Sequence, residues 1–293
     1  MYIITYCVLM FFFCQNYAQE IARKRCDILY GNRIETPPLQ TTRNIFNNRF
    51  DGLTGGTRSA DSEFPFMAAL GYGDINQIQW DCGGALISEK YVLTAAHCTY
   101  NRALGPITLV RLGTIDLLIP IGQYPAQDVR VKNVYVHPEY KHPEMYNDIA
   151  ILELEFSVNF SARVFPACLN TDSYINNVPV TALGWGTLEF AGERSNDLMK
   201  GTFSLSTPEE CKRSYLPQRR LTLGINSDIQ ICAGGGDIDT CEGDSGGPLL
   251  IEVGKKRLIV GITSFGNPCG LTNSPGVYTK VSKFIPWIEK IVW

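Results

Sequence analysis

From residue 53 onward, the chain alternates short apolar or β-branched runs with turns rich in Gly, Pro and Asn. Runs of this length, separated by turn residues and lacking a long helical period, predict antiparallel β-sandwiches or barrels. The fold class predicted from this pattern is therefore all-β. The runs that we predict as strands include Tyr91–Ala95, Thr108–Leu112, Val129–Val136, Ile149–Leu154, Val178–Leu183, Pro248–Val253 and Arg257–Thr263.

The two flanking parts of the chain follow different patterns. Apolar residues recur with helical spacing over Ser282–Val292, which predicts a C-terminal helix with Ser282 as its N-cap. Residues 19–52 are polar and lack apolar periodicity, so we expect an extended, flexible segment there.

The first residues predict export from the cell. Residues 2–14 are apolar and uncharged, yet too short to span a bilayer comfortably, and small or polar residues follow up to Ala18. This pattern predicts a signal peptide over residues 1–18 and a secreted, extracellular protein. Its removal takes Cys7 and Cys14 and leaves eight cysteines, an even number that suits an oxidising compartment. Spacing alone leaves their pairing open, since eight cysteines allow 105 connectivities.

Composition excludes some classes of partner. The chain has 293 residues, 45% of them apolar, which is enough to bury one core or two cores that share a cleft. A net charge of −3 gives no support to binding of nucleic acid or of an anionic membrane surface, so neither is an expected partner. The chain has no CxxC pair, and its loop at residues 114–127 carries only Asp116 as an acid, so we expect no metal and no cofactor.

A glycine-rich run over residues 240–248 carries the strongest chemical signal. Ser245 lies there among Gly243, Gly246 and Gly247, which permit backbone conformations that a Cβ atom would forbid. Such a run suits a nucleophilic serine beside an oxyanion-stabilising site. By itself it also fits the nucleophile elbow of α/β-hydrolases, or a plain glycine turn with a surface serine.

The order of the histidines separates these alternatives. His97, His137 and His142 all precede Ser245, whereas an α/β-hydrolase needs its histidine after the serine. The order of subtilisin-like enzymes is not excluded by counting, but no glycine-flanked aspartate or histidine of that kind lies upstream. His137 and His142 both precede prolines and are interpreted as exposed turn residues.

Two residues upstream have contexts that suit a histidine and an acid acting with Ser245. His97 follows an apolar strand and two alanines, with Cys98 beside it to anchor the turn. Asp148 lies at the start of an apolar strand, where a buried carboxylate needs a partner. Each residue alone could be structural, a histidine after a strand or an aspartate capping a strand end.

The motifs together resemble those of the chymotrypsin-like, or trypsin-fold, serine proteases. The resemblance extends from about Leu53 to Trp293 and is carried by residues 94–98, 148–150, 184–186, 243–248 and 275–278. Within that family the chain looks most similar to the arthropod snake-like proteases and their venom relatives. The resemblance implies two antiparallel six-stranded β-barrels, about 53–170 and 171–293, with the active site in the cleft between them.

The resemblance also implies roles for single residues. Ser245 would attack the scissile carbonyl, His97 would move the proton, and Asp148 would orient the imidazole. The backbone N–H groups of Gly243 and Ser245 would bind the oxyanion, and Ser264 would hydrogen-bond Asp148.

A specificity pocket follows from the same resemblance. Asp239 would lie at its floor, with Gly266 and Gly276 in its walls, which favours substrates with Arg or Lys before the scissile bond. An ordinary loop acid is the alternative interpretation of Asp239. Phe265 stands where the family usually has tryptophan, so we expect altered subsite preference with catalysis retained. The expected partners are protein or peptide substrates with Arg or Lys before the scissile bond, an activating protease and protein inhibitors.

Four disulfides are implied by the family rather than by spacing. They are Cys26–Cys168, Cys82–Cys98, Cys211–Cys232 and Cys241–Cys269. In related zymogens a disulfide like Cys26–Cys168 joins the propeptide to the peptidase domain. In this chain the predicted propeptide is residues 19–52 and the predicted peptidase domain is residues 53–293. Only Cys26 lies in the propeptide, so the six-cysteine clip module of many relatives is expected to be absent. Asn159, in an Asn-Phe-Ser sequon, is the one predicted glycosylation site.

Activation is the least regular feature. The new N-terminus that pairs with Asp244 in the family would be Leu53, but Gly52 precedes it where Arg or Lys is usual. Either an activator with another specificity cuts Gly52–Leu53, or the chain remains an inactive binder. A non-catalytic homologue that acts as a cascade cofactor or binding module is accordingly the alternative to a secreted endopeptidase.

Overall fold

The computed structural model describes residues 19–31, 56–175, 178–187, 192–235, 240–267 and 274–293. Within these ranges the chain forms fifteen β-strands and three α-helices, with two 3-10 turns at Ala96–Thr99 and Val281–Lys283. The predicted all-β class is confirmed.

The first barrel is closed by antiparallel pairing of six strands. Its order is β2-β3-β4-β8-β7-β6, and β6 pairs back with β2, while the short β5 extends β6. The strands are β2 (Met67–Tyr72), β3 (Gln79–Leu86), β4 (Tyr91–Thr94), β5 (Tyr100–Asn101), β6 (Gly105–Leu112), β7 (Gln127–Val136) and β8 (Ala150–Leu154).

The second sheet has the order β1-β11-β10-β13-β14-β15-β12, with β9 parallel to β14. An antiparallel bridge between Leu205, just beyond β11, and Ala233 in β12 brings its two sides together into a second barrel. The strands are β1 (Thr57–Arg58), β9 (Cys168–Leu169), β10 (Val180–Gly184), β11 (Met199–Phe203), β12 (Gln230–Ala233), β13 (Pro248–Val253), β14 (Lys256–Phe265) and β15 (Gly276–Lys280).

Some apolar runs of the sequence become strands that are buried along their length, as β8 does, whereas β7 is partly or fully exposed throughout. All five residues of β8 are buried, including Glu153. This carboxylate accepts hydrogen bonds from Asn133 at 2.8 Å and Tyr135 at 3.0 Å, and Lys132 lies 3.2 Å away. These partners offset the cost of removing the charge from water. They also lower the pKa of Glu153 to about 2, with the Asn133 hydrogen bond as the largest cause.

A buried guanidinium organises the loop over residues 114–127. Arg111 donates to Asp128 at 2.7 and 2.9 Å and to the backbone oxygens of Leu117 and Ile119 at 3.2 and 2.5 Å. Asp128 in turn accepts from the N–H of Gly122 at 2.8 Å. The positive charge at the centre of this loop is therefore that of the Arg111 guanidinium.

The helices differ from the sequence-based predictions at their beginnings. The C-terminal helix α3 (Ile285–Val292) is confirmed, but the predicted N-cap Ser282 is wrong. Ser282 lies within the preceding 3-10 turn, and its buried hydroxyl has no hydrogen-bond partner among the described residues. Phe284 is the N-cap, and Pro286 in the first turn fixes the helical φ angle without needing a capping side chain. Helix α2 (Pro208–Ser214), by contrast, has a capping box formed by Thr207 and Glu210.

The expectation of an extended, flexible segment is wrong for residues 19–31, which form the helix α1. Ala22 and Cys26 are buried on one face of this helix, and Cys26 is disulfide-bonded to Cys168. Arg23 donates to Thr171 at 2.5 Å, and the ring of Tyr30 lies 5.6 Å from that of Phe165 in an edge-on contact. Tertiary contacts therefore stabilise a helix that also contains good helix formers, and its buried Ala22 and Cys26 have the i, i+4 spacing of one helix face.

Three of the four expected disulfides are confirmed, namely Cys26–Cys168, Cys82–Cys98 and Cys211–Cys232. Cys241 is disulfide-bonded as well, but Cys269 lies outside the described residues, so that pairing stays a prediction. None of the helices in the described ranges combines the length and the apolar character needed to cross a bilayer.

Candidate active site

Strand pairing brings His97 and Asp148 to the same end of the first barrel. Thr94, the last residue of β4, pairs with Ala150, the first residue of β8. The segment after β4 therefore runs beside the segment before β8. His97 lies in the 3-10 turn Ala96–Thr99, which the disulfide between Cys82 and Cys98 anchors to β3. The imidazole keeps 31% of its surface exposed, whereas the Asp148 side chain is almost fully buried.

The Asp148 carboxylate is saturated with hydrogen bonds. Its Oδ2 atom lies 2.7 Å from Nδ1 of His97 and accepts from the hydroxyl of Ser264 at 2.5 Å. Its Oδ1 atom accepts from the backbone N–H of His97 at 2.9 Å. The hydroxyl of Thr279 donates to the Asp148 carbonyl at 2.8 Å, so the backbone of the acid is held too. The predicted contacts of Asp148 with His97 and Ser264 are thus present.

Burial and charge act in opposite directions on this pair. Burial lowers the pKa of His97, but the charge and hydrogen bond of Asp148 outweigh it, so the pKa lies above its ordinary value. Burial raises the pKa of Asp148, but the charge and hydrogen bond of His97, with the Ser264 hydrogen bond, bring it below its ordinary value. The arrangement therefore keeps Asp148 ionised and stabilises a proton on His97.

The loop that carries Ser245 is attached to the first barrel through its backbone. The N–H of Gly83 in β3 donates to the Ser245 carbonyl at 2.8 Å. Gly246 has a φ angle of +77°, and a Cβ atom there would lie 2.5 Å from the Gly83 oxygen and 3.1 Å from the sulfur of Cys98. Only glycine fits at this position, and its absence of a side chain lets the Ser245 loop pack against the turn that carries His97.

Two neighbouring N–H groups of this loop stand apart from its internal hydrogen bonds. The N–H groups of Asp244, Gly246 and Gly247 donate to backbone carbonyls. In the described part of the chain, the N–H groups of Gly243 and Ser245 donate to no backbone carbonyl. The φ angle of +97° at Gly243 supports this turn.

Asp244 is fully buried in a cradle of glycines. Its carboxylate accepts from the N–H groups of Gly186 at 2.9 Å and Cys241 at 2.8 Å. A Cβ atom on Gly184 would lie 2.8 Å from the carboxyl carbon, and one on Gly186 would lie 2.7 Å from it. The Gly184-Trp185-Gly186 motif therefore provides the space that the carboxylate occupies.

The two glycines of the expected specificity pocket face each other. A Cβ atom on Gly266 would lie 3.8 Å from the Cα of Gly276 and would meet no closer atom. Thr240 lies against Gly276, since a Cβ on that glycine would be 3.0 Å from the Thr240 hydroxyl. Asp239, the expected floor residue, precedes Thr240 but lies outside the described residues.

Tyr215 supports this region and was not singled out from the sequence. Its hydroxyl donates to the Pro275 carbonyl at 2.6 Å and accepts from the N–H of Asn267 at 3.3 Å. Its ring packs edge-on against Phe265 at a centroid distance of 5.6 Å. Phe265 therefore keeps an aromatic contact in the place of the usual tryptophan. The signal that could have identified Tyr215 is its position one turn beyond Cys211, but that spacing is common to many buried tyrosines.

The other predicted positions have varied outcomes. His137 is not an exposed turn residue, because its ring packs at 5.0 Å from Phe284 and 5.1 Å from Trp287, on α3 and its N-cap. Asn159 is exposed, and within the described ranges its hydrogen bonds are those of its backbone with Gln127. Gly52 and Leu53 lie outside the described residues.

A cluster with the spacing of a metal site surrounds His97. The sulfur atoms of Cys82 and Cys98 and a ring nitrogen of His97 lie within 4.8 Å of one another. Both sulfurs are joined in a disulfide, so they cannot act as thiolate ligands. The disulfide between Cys82 and Cys98 therefore anchors the turn that carries His97.

Comparison with known proteins agrees with this geometry. A family-wide sequence pattern described as trypsin matches residues 53–288. Serine protease snk of Drosophila melanogaster is 43% identical over 251 residues, which cover 82% of this chain and 57% of that protein. Venom serine protease Bi-VSP of Bombus ignitus is 34% identical over 287 residues, or 93% of this chain and 76% of that protein. Venom protease of Bombus pensylvanicus is 36% identical over 246 residues, or 80% and 96%.

The chain thus spans little more than half the length of snk, but nearly all of the Bombus pensylvanicus protein. The family match covers both barrels and every described residue of the candidate site. The resemblance to trypsin-fold proteases is confirmed, and the chain belongs to the trypsin family.

Proposed function

We propose that this chain is a secreted serine endopeptidase, made as a zymogen, that cleaves peptide bonds after Arg or Lys. The observation that carries this proposal is the set of hydrogen bonds joining His97, Asp148 and Ser264 beside the Ser245 loop. An exposed imidazole face next to a buried, ionised carboxylate is the arrangement that general-base catalysis by histidine needs.

In this mechanism the hydroxyl of Ser245 attacks the scissile carbonyl while Nε2 of His97 takes its proton. The carbonyl oxygen becomes an oxyanion, and the N–H groups of Gly243 and Ser245 donate to it, contributing about 2.7–4 kcal/mol per donor. His97 then gives the proton to the leaving amine, and an ester to Ser245 remains. Water, deprotonated by His97, hydrolyses that ester and restores the enzyme. Asp148 keeps the proton on Nδ1 and stabilises the imidazolium.

Specificity for basic residues rests on Asp239 at the floor of a pocket whose walls are Gly266 and Gly276. Two facing glycines leave room for a long side chain, and a carboxylate below them would pair with its cation. Protein inhibitors of such enzymes present a basic residue to the same pocket, so we include them among the partners.

Activation in this proposal requires cleavage of Gly52–Leu53, after which the ammonium of Leu53 pairs with Asp244. The complete burial of Asp244 among glycines supports a role for that carboxylate as an internal acceptor. The activating protease would prefer a small or apolar residue, because glycine precedes the bond. Two of the relatives are venom proteins by name, so a venom setting fits this chain, and there the protein would be extracellular.

The test uses protein secreted from insect cells and a chain engineered to begin at Leu53. We expect the Leu53 chain to hydrolyse an arginyl chromogenic peptide far faster than an alanyl one, and Ser245→Ala to abolish hydrolysis. N-terminal sequencing of the activated protein should give Leu53, together with the amino terminus of the propeptide that the Cys26–Cys168 disulfide retains. A correctly folded Leu53 chain without hydrolysis of either peptide would support the alternative, a non-catalytic homologue that acts as a binding module.

A further inference from the structure

Helix α1 packs on the peptidase domain through one face. The positions that are buried or partly buried are 19, 21, 22, 26, 29 and 30, most of which recur with helical spacing, while residues 23–25 are exposed. The disulfide Cys26–Cys168 lies in the middle of this face. Gln19, at the start of the described helix, therefore lies on the same side as Ala22.

Glu289 of α3 meets the first turn of α1. Its Oε1 atom accepts a hydrogen bond from the backbone N–H of Ala22 at 2.8 Å. The residue is only 5% exposed, and its second oxygen, Oε2, is buried and has no hydrogen-bond partner among the described residues. Burial raises the pKa of this carboxyl, although the Ala22 hydrogen bond opposes the rise. A buried acid with an unpaired oxygen is costly unless a further donor reaches it.

In a chain that begins at Gln19, the start of α1 would be suited to supply that donor. The first N–H groups of a helix have no partner within the helix, and the helix dipole places positive charge at this end. Gln19 precedes Ala22 by three residues, so its nitrogen lies about 4.5 Å further along the helix axis, nearly one turn away on the same face. Because Oε1 already bonds Ala22, Oε2 is the oxygen left for a donor at Gln19, although no hydrogen bond joins these two atoms in the described structure.

We propose that Glu289 is a binding site for the processed amino terminus of this same chain. Cleavage after Ala18 would convert the amide nitrogen of Gln19 into an ammonium, which donates to Oε2 of Glu289. This inference rests on the proposed function, because the secretion proposed there implies removal of the signal peptide, residues 1–18. Its consequence is a second attachment for the propeptide, in addition to the disulfide. Residues 19–31 would stay seated on the peptidase domain after cleavage at Gly52–Leu53.

Glutaminyl cyclase provides a direct probe, because it acts only on a free amino-terminal glutamine. The α-nitrogen attacks the side-chain amide carbon, ammonia leaves, and the cationic terminus becomes neutral pyroglutamate. A terminus held by Glu289 must detach before it can react. The reference sample is the protein unfolded in guanidinium, digested to peptides and diluted into the assay. We expect the native protein to be cyclised at least about tenfold more slowly than this digest.

The matched variants are Glu289→Gln and Glu20→Gln. Glu289→Gln keeps the acceptor for Ala22 but removes the charge, so cyclisation should accelerate about tenfold. Glu20→Gln alters an exposed acid of the same turn that pairs with Lys24, and should leave the rate unchanged. If Glu289→Gln does not fold, the replacement measurement is hydrogen exchange at the Ala22 amide of the wild type, before and after cyclisation. The protection of this amide from exchange should fall once the ammonium is lost.

Sequencing separates failure of this site from failure of the proposed function. A secreted chain that begins at Gln19 and resists the cyclase supports the site. A chain that begins at Gln19 but reacts as fast as its unfolded form overturns the site, while the cleavage prediction stands. A chain that begins at another residue, or is secreted already as pyroglutamate, also overturns it. Peptide hydrolysis by the Leu53 chain is unaffected by each of these outcomes.

Discussion

The hydroxyl of Ser264 donates a hydrogen bond to Oδ2 of Asp148 over 2.5 Å, although 116 residues separate them in the chain. Ser264 belongs to β14 of the second barrel, and Asp148 precedes β8 of the first. The bond therefore crosses the boundary between the barrels at the candidate active site. Because the same oxygen lies against His97, we propose that the serine acts on the imidazole through the acid, as a positioning residue.

We expect Ser264→Ala to lower kcat about tenfold with little change in KM. A hydrogen bond to a charged group is worth about 1.5 kcal/mol or more, which corresponds to about tenfold in rate. Ser264→Thr, which keeps a hydroxyl, should restore most of the activity. The matched control is Ser282→Ala, which removes a buried hydroxyl without a partner and should leave kcat unchanged. Equal loss in both alanine variants would assign Ser264 a structural role only.

The pH dependence of hydrolysis should report the pairing of His97 with Asp148. Neutral His97 is needed as the base, so kcat/KM should rise as the pH increases through its pKa, which Asp148 holds above the ordinary value of 6.5. In Asp148→Asn the charge is lost and burial lowers the pKa instead. The ascending limb should then move to lower pH, together with a large loss of kcat. A limb that stays in place would contradict the electrostatic coupling.

Two glycine-to-alanine variants should differ in their effects on folding. Gly184→Ala places a methyl group into the carboxylate of Asp244 and should prevent folding or leave the protein inactive. Gly266→Ala meets only ordinary contacts, so the protein should fold normally but have a narrower specificity pocket. We expect its kcat/KM for arginyl peptides to fall at least about tenfold. Thermal unfolding and steady-state kinetics measure both effects. An unchanged arginyl preference would show that Gly266 does not line the pocket.

Glu153 should make the protein sensitive to acid. Its pKa is about 2 in the folded chain against 4.5 when unperturbed, so the unfolded state binds its proton first as the pH falls. The carboxylate thus stabilises the fold above about pH 4.5, and this contribution is lost between about pH 5 and pH 2.

Unfolding in urea should show Glu153→Gln to be less stable than wild type by about 2–3 kcal/mol at pH 7, with the difference shrinking towards pH 2. The control Glu252→Gln removes an exposed carboxylate paired with Arg257 and should show no such trend. A difference that stays constant over this pH range would exclude ionisation of Glu153 as its cause.

Much of the barrel architecture could be predicted from the sequence because its strands are continuous apolar runs. Pro248–Val253 has the predicted bounds, and the other predicted strands differ by a few residues at their ends. The contacts of Asp148 with His97 and Ser264 could be predicted from family motifs alone, since long-range pairing is not visible in local patterns.

The features that escaped prediction depend on tertiary partners. Helix α1 is stabilised by Cys168 and Glu289, which lie far away in the chain. Ser282 is a good N-cap by residue type, but Pro286 places the start of the helix beyond it. Arg111 reads as an ordinary charged residue in a strand, yet loop carbonyls gather around its guanidinium. Local propensity cannot report such contacts.

The central claim is that Ser245 is a nucleophile activated by His97 and Asp148. The most direct measurement treats the chain beginning at Leu53 with a fluorophosphonate, which reacts with activated serines, and locates the adduct by peptide mass spectrometry. We predict one adduct, on Ser245, that is lost in Ser245→Ala and formed far more slowly in His97→Ala, while Ser264→Ala still reacts. A folded chain that forms no adduct on Ser245, or reacts equally fast without His97, would contradict the account.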